Sequence, residues 1–141
     1  YGKIGCGICW DQWFPECARS MTLLGADIIL YPTAIGSEPQ DPNLNSKKHW
    51  ENVMIGHSAA NQIPIVASNR IGEEIEDDIK INFYGGSFIT DHLGNIQAQM
   101  DSSTEGVISH EINVDEIRKF RQSWGNFRDR RPDLYKKICD F

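Results

Sequence analysis

Lys3-Ile4-Gly5-Cys6-Gly7-Ile8-Cys9-Trp10-Asp11-Gln12-Trp13-Phe14-Pro15-Glu16 is the stretch whose reading decides the fold. Residues 3–9 are apolar and small without alternation, the pattern of a short strand buried on both faces. Residues 10–14 end that run as a turn. Pro15 suits the first turn of a helix, where its missing N–H costs nothing, and Glu16 beside it favours the positive helix end. A helix is predicted over 15–24, with Gly25 closing it. The Ile- and Leu-rich segment 27–31 is the next strand, ended by Pro32, which cannot donate to a ladder. Strand, helix and strand in close succession require a layered α/β arrangement.

Working outward, residues 34–45 read as a loop, rich in Gly, Pro, Ser and Asn. Ser46 is placed to cap a helix whose inner face carries Trp50, Val53, Met54, His57, Ala60 and Asn61. Residues 64–68 form a third strand, and 69–72 leave it. The acidic segment 73–78 reads as an exposed loop. Residues 85–90 are a strand, 91–95 a hairpin turn with Gly94 left-handed, and 96–100 the return strand. A further strand is expected over 105–112, and Asn113 or Asp115 opens a last helix. The tail from 125 onward is amphipathic and Arg-rich, broken at Pro132. The second half therefore adds antiparallel edges to the sheet.

With 141 residues and 40% hydrophobic content, the chain has the material for a real core and one domain's worth of length. A start inside an apolar strand leads us to expect that part of a parent chain precedes Tyr1. No run approaches the roughly 20 apolar residues that span a bilayer, so no membrane partner is expected. The net charge of -6 argues against nucleic acid, which needs clustered Lys and Arg. The exception is the locally basic stretch 118–137, read as a solvated helix or subunit contact. The cysteines are Cys6, Cys9, Cys17 and Cys139, too few and too unevenly spaced for a secretory framework. A reducing, cytoplasmic setting is expected.

Cys6 and Cys9 form a Cys-x-x-Cys, a pattern shared by redox pairs and half zinc sites. Neither is favoured, because no second cysteine pair follows at zinc spacing and both residues belong to one apolar run. Cys9 itself sits where a strand meets a turn that precedes a helix, a place that fixes the backbone while exposing a nucleophile. The helix start at Pro15 is expected to favour its thiolate. The backbone N–H groups of Trp10 and Asp11 are candidate donors to an oxyanion. A core cysteine is the competing reading, since buried free cysteines are common. His49, His57, His92 and His110 are partners by residue type, and none is singled out; His57 lies in a packed helix seam and reads as structural.

These residues carry a resemblance. Residues 7–16, from Gly7-Ile8-Cys9-Trp10 to Phe14-Pro15-Glu16, resemble the nucleophile segment of the nitrilase superfamily of carbon–nitrogen hydrolases. Residues 25–39, 59–64, 67–72 and Gly85-Gly86-Ser87 continue the likeness across almost all of the chain. The resemblance implies an α/β fold, an α-β-β-α sandwich of which this chain is the C-terminal portion with a mixed sheet. It implies a Glu-Lys-Cys catalytic set in which Cys9 is the nucleophile, and homodimers or higher homo-oligomers. No cofactor and no metal are implied. The general-base glutamate and the oxyanion lysine are expected upstream of Tyr1, since Lys3 is too close to Cys9 and the later glutamates fall in the wrong order. On its own the chain is expected to lack turnover.

The expanded form Trp10-Asp11-Gln12-Trp13-Phe14-Pro15-Glu16 points to a member acting on a small cationic carbamoyl-amine. Such a substrate needs an apolar channel closed by a carboxylate. Glu38, in the loop after the second strand, is the candidate for that charge, because loops after neighbouring parallel strands meet at one edge. Trp10 and Trp13 are candidates to line the stem. Arg70 is the residue that would favour an acidic substrate if it faced Cys9 instead. Two other readings stay open: a linear amidase of the same family with a carboxylate-ended substrate, and an inert interaction module. The tail, 118–141, is the expected interface segment, through its arginines with Phe127, Leu134, Tyr135 and Phe141.

Overall fold

The computed structural model describes residues 2–140, and its frame is one five-stranded mixed sheet. The strands are β1 (Ile4–Cys6), β2 (Ile28–Thr33), β3 (Ile65–Asn69), β6 (Phe88–Thr90) and β7 (Ile96–Gln99), ordered β1-β2-β3-β6-β7. The β1–β2 and β2–β3 pairs are parallel; β3–β6 and β6–β7 are antiparallel. Helices α1 (Pro15–Leu23) and α2 (Lys47–Asn61) form the crossovers between the parallel strands. A separate hairpin joins β4 (Ile71–Glu76) to β5 (Ile79–Tyr84), and α3 (Val114–Trp124) follows the sheet.

One face of the sheet carries the core. Ile29 and Tyr31 of β2, Ile65 and Ala67 of β3 and Phe88 of β6 pack against Ala18 of α1 and Trp50 and Met54 of α2. Period-two alternation explains the selection: Ile28, Leu30 and Val66, between those positions, are only half-buried. Each fully buried large apolar side chain stabilises the fold by about 1.5–3 kcal/mol. The inner face of α2 is Trp50, Met54, His57 and Asn61, joined by Glu51 and Ser58, whereas Ala60 is exposed. The Ser46 hydroxyl does not cap α2; Asn45 Oδ1 accepts from the Lys47 N–H instead, at 3.0 Å.

Several helix ends follow their local chemistry. Pro15 opens α1, and Gly25 takes φ +95° just past its end. The Asn113 side chain accepts from the Glu116 N–H at 3.2 Å and so caps α3, which Gly125 closes at φ +79°. Helix α3 is tied to the entry ends of β2 and β3. Arg118 grips Asp27 with two bonds of 2.9 and 2.8 Å, and Arg121 donates to the carbonyl of Gln62 at 3.1 Å. These contacts hold Asp27 below the usual carboxylate range, the Arg118 hydrogen bonds being the main cause. Cys9 follows the exit end of β1, so α3 braces the opposite edge of the sheet.

Four expectations are corrected. Among the described residues β1 lies at the edge of the sheet rather than at its centre, and Ile4 is 64% exposed. β2 runs through Pro32 to Thr33. The Ile29 N–H points to β3, so Pro32, an odd number of residues further, turns its nitrogen toward β1, which has already ended; no ladder bond is lost. The acidic segment 73–78 is mostly strand. Its charges face water, the Glu73–Lys80 pair spans the hairpin, and Asp77 makes the tight turn at φ +52°. Residues 105–112 form no strand; Val107 is 94% exposed and finds no pairing partner among the described residues. Beyond α3 the tail makes two short 3-10 turns, Pro132–Leu134 and Lys136–Cys139. Phe141 lies outside the described residues.

Candidate active site

Gly7 leaves β1 against the ring of Tyr31, where any Cβ would come within 2.7 Å of the ring carbon, so only glycine permits the strand to exit there. Ile8 is extended, and Cys9 then takes φ +49°, a conformation costing a non-glycine residue about 1–2 kcal/mol. Cys9 opens a 3-10 turn, Cys9–Trp13, and α1 begins only beyond it, at Pro15. The helix end expected to act on the thiol is therefore not adjacent to it. The turn is clamped by Asp11, whose carboxylate accepts from the Ile8 N–H at 2.9 Å while its own N–H donates to the Ile8 carbonyl at 3.1 Å. That bond removes Asp11 as an oxyanion donor. The Trp10 N–H donates to no group among the described residues.

A chain of side chains, buried at its Trp50 and Gln12 end and half-buried at Thr33, reaches the sulfur. Trp50 Nε1 donates to Gln12 Oε1 at 2.7 Å, Gln12 Nε2 donates to Thr33 Oγ1 at 3.0 Å, and Thr33 Oγ1 lies 3.5 Å from Cys9 Sγ. Gln12 is 1% exposed and Trp50 fully buried. Thr33, Gln12 and Trp50 were not singled out by the sequence reading; the three contacts join residues 21, 38 and 24 positions apart.

Cys9 opens onto a cavity of about 470 Å³, within the usual size range of small-ligand sites. Its wall includes Trp10, Trp13, Glu38, His49, Ile81 and Phe83. The structure thus brings Cys9, Trp10, Trp13 and Glu38 to one cavity. Trp10 is 70% exposed at its rim, and Trp13 packs on His49 with ring centres 5.0 Å apart and planes tilted by 53°. The loop bearing Glu38 is held by the hairpin. Gly36 bridges Phe83, the Ser37 N–H donates to the Asn82 carbonyl at 2.9 Å, and the Tyr84 N–H donates to the Ile35 carbonyl at 3.0 Å. A Cβ on Gly36 would lie 2.6 Å from the Asn82 oxygen. Asn69 pins the same loop from β3, accepting from the Ile35 N–H at 2.9 Å. Ile81 and Phe83 are not among the sequence candidates, because residues 79–84 carry no assignment after the loop expected over 73–78, although the alternation Ile79, Ile81, Phe83 carries the strand signal.

The other candidates sit elsewhere. Arg70 pairs with Glu74 and stacks on Phe83 at 4.3 Å, and it does not line the Cys9 cavity. His57 is buried near Tyr31, with both ring nitrogens unpartnered among the described residues, and burial lowers its pKa. It lies in the packed helix seam as expected, without the hydrogen bonds a buried histidine usually makes. His92 packs on Phe120 at 4.8 Å, and His110 lies in the irregular segment 105–112. All four cysteines are free; burial, and then the charge of Asp11, push the Cys17 thiol up. Among the described residues no group of three or more His, Cys, Asp or Glu side chains is placed to hold a metal ion, and no helix is long and apolar enough to cross a membrane. What remains is a thiol at a strained turn, facing an apolar cavity with one carboxylate on its wall.

Comparison with known proteins gives one answer. The carbon-nitrogen hydrolase family matches residues 1–122. The chain is 57% identical to the N-carbamoylputrescine amidase of Arabidopsis thaliana and 55% identical to a citrullinase of Francisella tularensis; each match covers 98% of this chain and 48% of the relative. The chain thus spans about half the length of the curated relatives it matches. Among solved structures, a carbon-nitrogen hydrolase from Helicobacter pylori G27 superposes with a TM-score of 0.89 at 38% identity, covering 99% of this chain and 50% of that one. A mutant of the amidase from Nesterenkonia sp. AN1 has a TM-score of 0.73 at 20% identity, over 96% of this chain and 44% of that one, which shows the shared fold.

Proposed function

This chain belongs to the carbon–nitrogen hydrolase family, and from that premise we propose that the whole protein carrying it hydrolyses N-carbamoylputrescine to putrescine, carbon dioxide and ammonia, with Cys9 as the nucleophile. The observation that carries the reading is the shared cavity of Cys9 and Glu38, mostly apolar and lined by Trp10 and Trp13. An ammonium on a four-carbon stem matches such a channel, with its carbamoyl group at the thiol and its charge at the carboxylate.

In this mechanism the Cys9 sulfur attacks the ureido carbonyl and forms a C–S bond. The C–N bond to putrescine then breaks, and the departing nitrogen takes a proton. Water adds to the carbamoyl-thioester, the C–S bond breaks, and the carbamate released decomposes to carbon dioxide and ammonia. The Trp10 N–H is one donor for the oxyanion. The resemblance assigns the proton transfers to a glutamate and further oxyanion stabilisation to a lysine, both expected before Tyr1. No cofactor enters the scheme. A cytoplasmic location and assembly into homodimers or larger homo-oligomers complete the proposal. The latter is supported by the exposed apolar side chains Trp124, Leu134, Tyr135 and Ile138 at the C-terminal end.

The citrullinase relative supports a second reading, in which the substrate is citrulline. Both substrates are ureas on a carbon stem ending in an ammonium, and citrulline adds a carboxylate beside it. Substrates of omega-amidase or β-ureidopropionase type also end in a carboxylate. Glu38 opposes these by like charge, and among the described residues no Lys or Arg lines the cavity. The test is the appearance of putrescine from N-carbamoylputrescine, against ornithine from citrulline, with the whole protein and its Cys9→Ser variant. The reading expects putrescine release at the higher kcat/KM, and none from the variant. Preference for citrulline would move the substrate assignment. Hydrolysis of neither, with Cys9 alkylated no faster than Cys6, would support an inert interaction module.

A further inference from the structure

The hydrogen-bond chain behind Cys9 has a fixed direction. An indole N–H can only donate, so the amide oxygen of Gln12 must face Trp50. The amide nitrogen of Gln12 then faces Thr33 and donates to its hydroxyl oxygen. Thr33 therefore cannot give its proton to Gln12. Among the described residues, the Thr33 hydroxyl has one other partner, the sulfur of Cys9 at 3.5 Å. The orientation of a glutamine amide is ordinarily ambiguous; here the donor-only indole settles it.

We infer that Thr33 is a catalytic hydrogen-bond donor to the Cys9 thiolate, and that Gln12 and Trp50 are positioning residues that aim its proton at the sulfur. This rests on the reading of Cys9 as nucleophile. Thr33 keeps its proton throughout. Its bond favours the thiolate before attack, weakens as the C–S bond forms and the sulfur loses its charge, and strengthens again when the thioester collapses and the sulfur leaves. The same hydroxyl thus assists both halves of the reaction. Burial of Gln12 and Trp50 keeps water from competing for the relay.

The experiment is site-resolved alkylation of Cys9 by iodoacetamide as a function of pH, in the whole protein and three variants, with folding followed by circular dichroism. Thr33→Val is expected to raise the pH midpoint of alkylation by about one unit, making the reaction about tenfold slower below it. Thr33→Ser keeps the hydroxyl and is expected to restore the wild-type profile. Gln12→Glu offers one carboxylate oxygen to Trp50 and the other to Thr33, drawing the proton away from the sulfur, so it too raises the midpoint. An unchanged midpoint in Thr33→Val, or a Thr33→Ser profile no better than that of Thr33→Val, overturns the inference. If Thr33→Val does not fold, an unchanged midpoint in Gln12→Glu overturns it alone. Alkylation needs no substrate. A shifted midpoint in a protein that hydrolyses no urea would keep the relay and discard the substrate reading.

Discussion

Replacing Glu38 by Gln keeps the size of the side chain and removes its charge, so it isolates what the carboxylate contributes to substrate choice. Two unit charges about 4 Å apart attract by about 4 kcal/mol at an effective dielectric constant near 20. Glu38 is exposed on the cavity wall, so water screens it and the value moves toward the roughly 1 kcal/mol of open surface pairs. An intermediate loss of about 1–2 kcal/mol corresponds to roughly a 5- to 30-fold drop in kcat/KM for N-carbamoylputrescine. The control is N-pentylurea, which carries a methyl group where the substrate carries its ammonium. The assay is the ratio of kcat/KM for the two compounds in wild type and Glu38→Gln. Because the contact is remote from the bond that breaks, KM should carry most of the change. A ratio that does not move would show that Glu38 does not read the ammonium. The substrate would then be a urea or linear amide of unspecified charge.

Two further outcomes are expected. Asp27 is held below the usual carboxylate range, so its stabilising effect is full above about pH 4, the ordinary carboxylate value, and is lost as pH falls through its lower folded value; the stability gap between wild type and Asp27→Asn in urea melts should close on acidification, and a gap independent of pH would contradict the Arg118 account. Deleting residues 126–141 should shift sedimentation of the whole protein toward smaller species at micromolar concentration, since Leu134, Tyr135 and Ile138 are exposed apolar groups; an unchanged oligomer would remove the tail from the interface.

Where a single residue dictates local geometry, the sequence was legible. Pro15 and Gly25 bounded α1, Gly94 marked its turn at φ +88°, and Asn113 capped α3. The mistakes came where neighbours override local pattern. Pro32 continues a strand because the adjoining strand has already ended. Residues 73–78 are acidic yet paired, because their charges face water and β5 supplies the partner. Residues 105–112 have the composition of a strand but find no pairing partner among the described residues. In the site, the strand-to-turn position made Cys9 a candidate beside the core-cysteine reading, and only the family resemblance chose it as nucleophile; parallel topology brought the Glu38 loop to the same cavity. Thr33, Gln12 and Trp50 stayed invisible because a relay between distant segments leaves no spacing in the sequence. The strand signal of the hairpin is present in the alternation Ile79, Ile81, Phe83, but its role as a brace for the Glu38 loop is set by the long-range bridge from Gly36 to Phe83.

The central claim is covalent catalysis by Cys9, and the carbamoyl-enzyme tests it most directly. The whole protein is mixed with N-carbamoylputrescine, quenched in acid within a turnover, digested and examined by mass spectrometry. The account predicts one added carbamoyl group on the peptide containing Cys9, none on Cys6, Cys17 or Cys139, and neither adduct nor turnover in Cys9→Ala. A folded Cys9→Ala protein that releases putrescine at the wild-type rate, or a carbamoyl group carried on another residue, would contradict it.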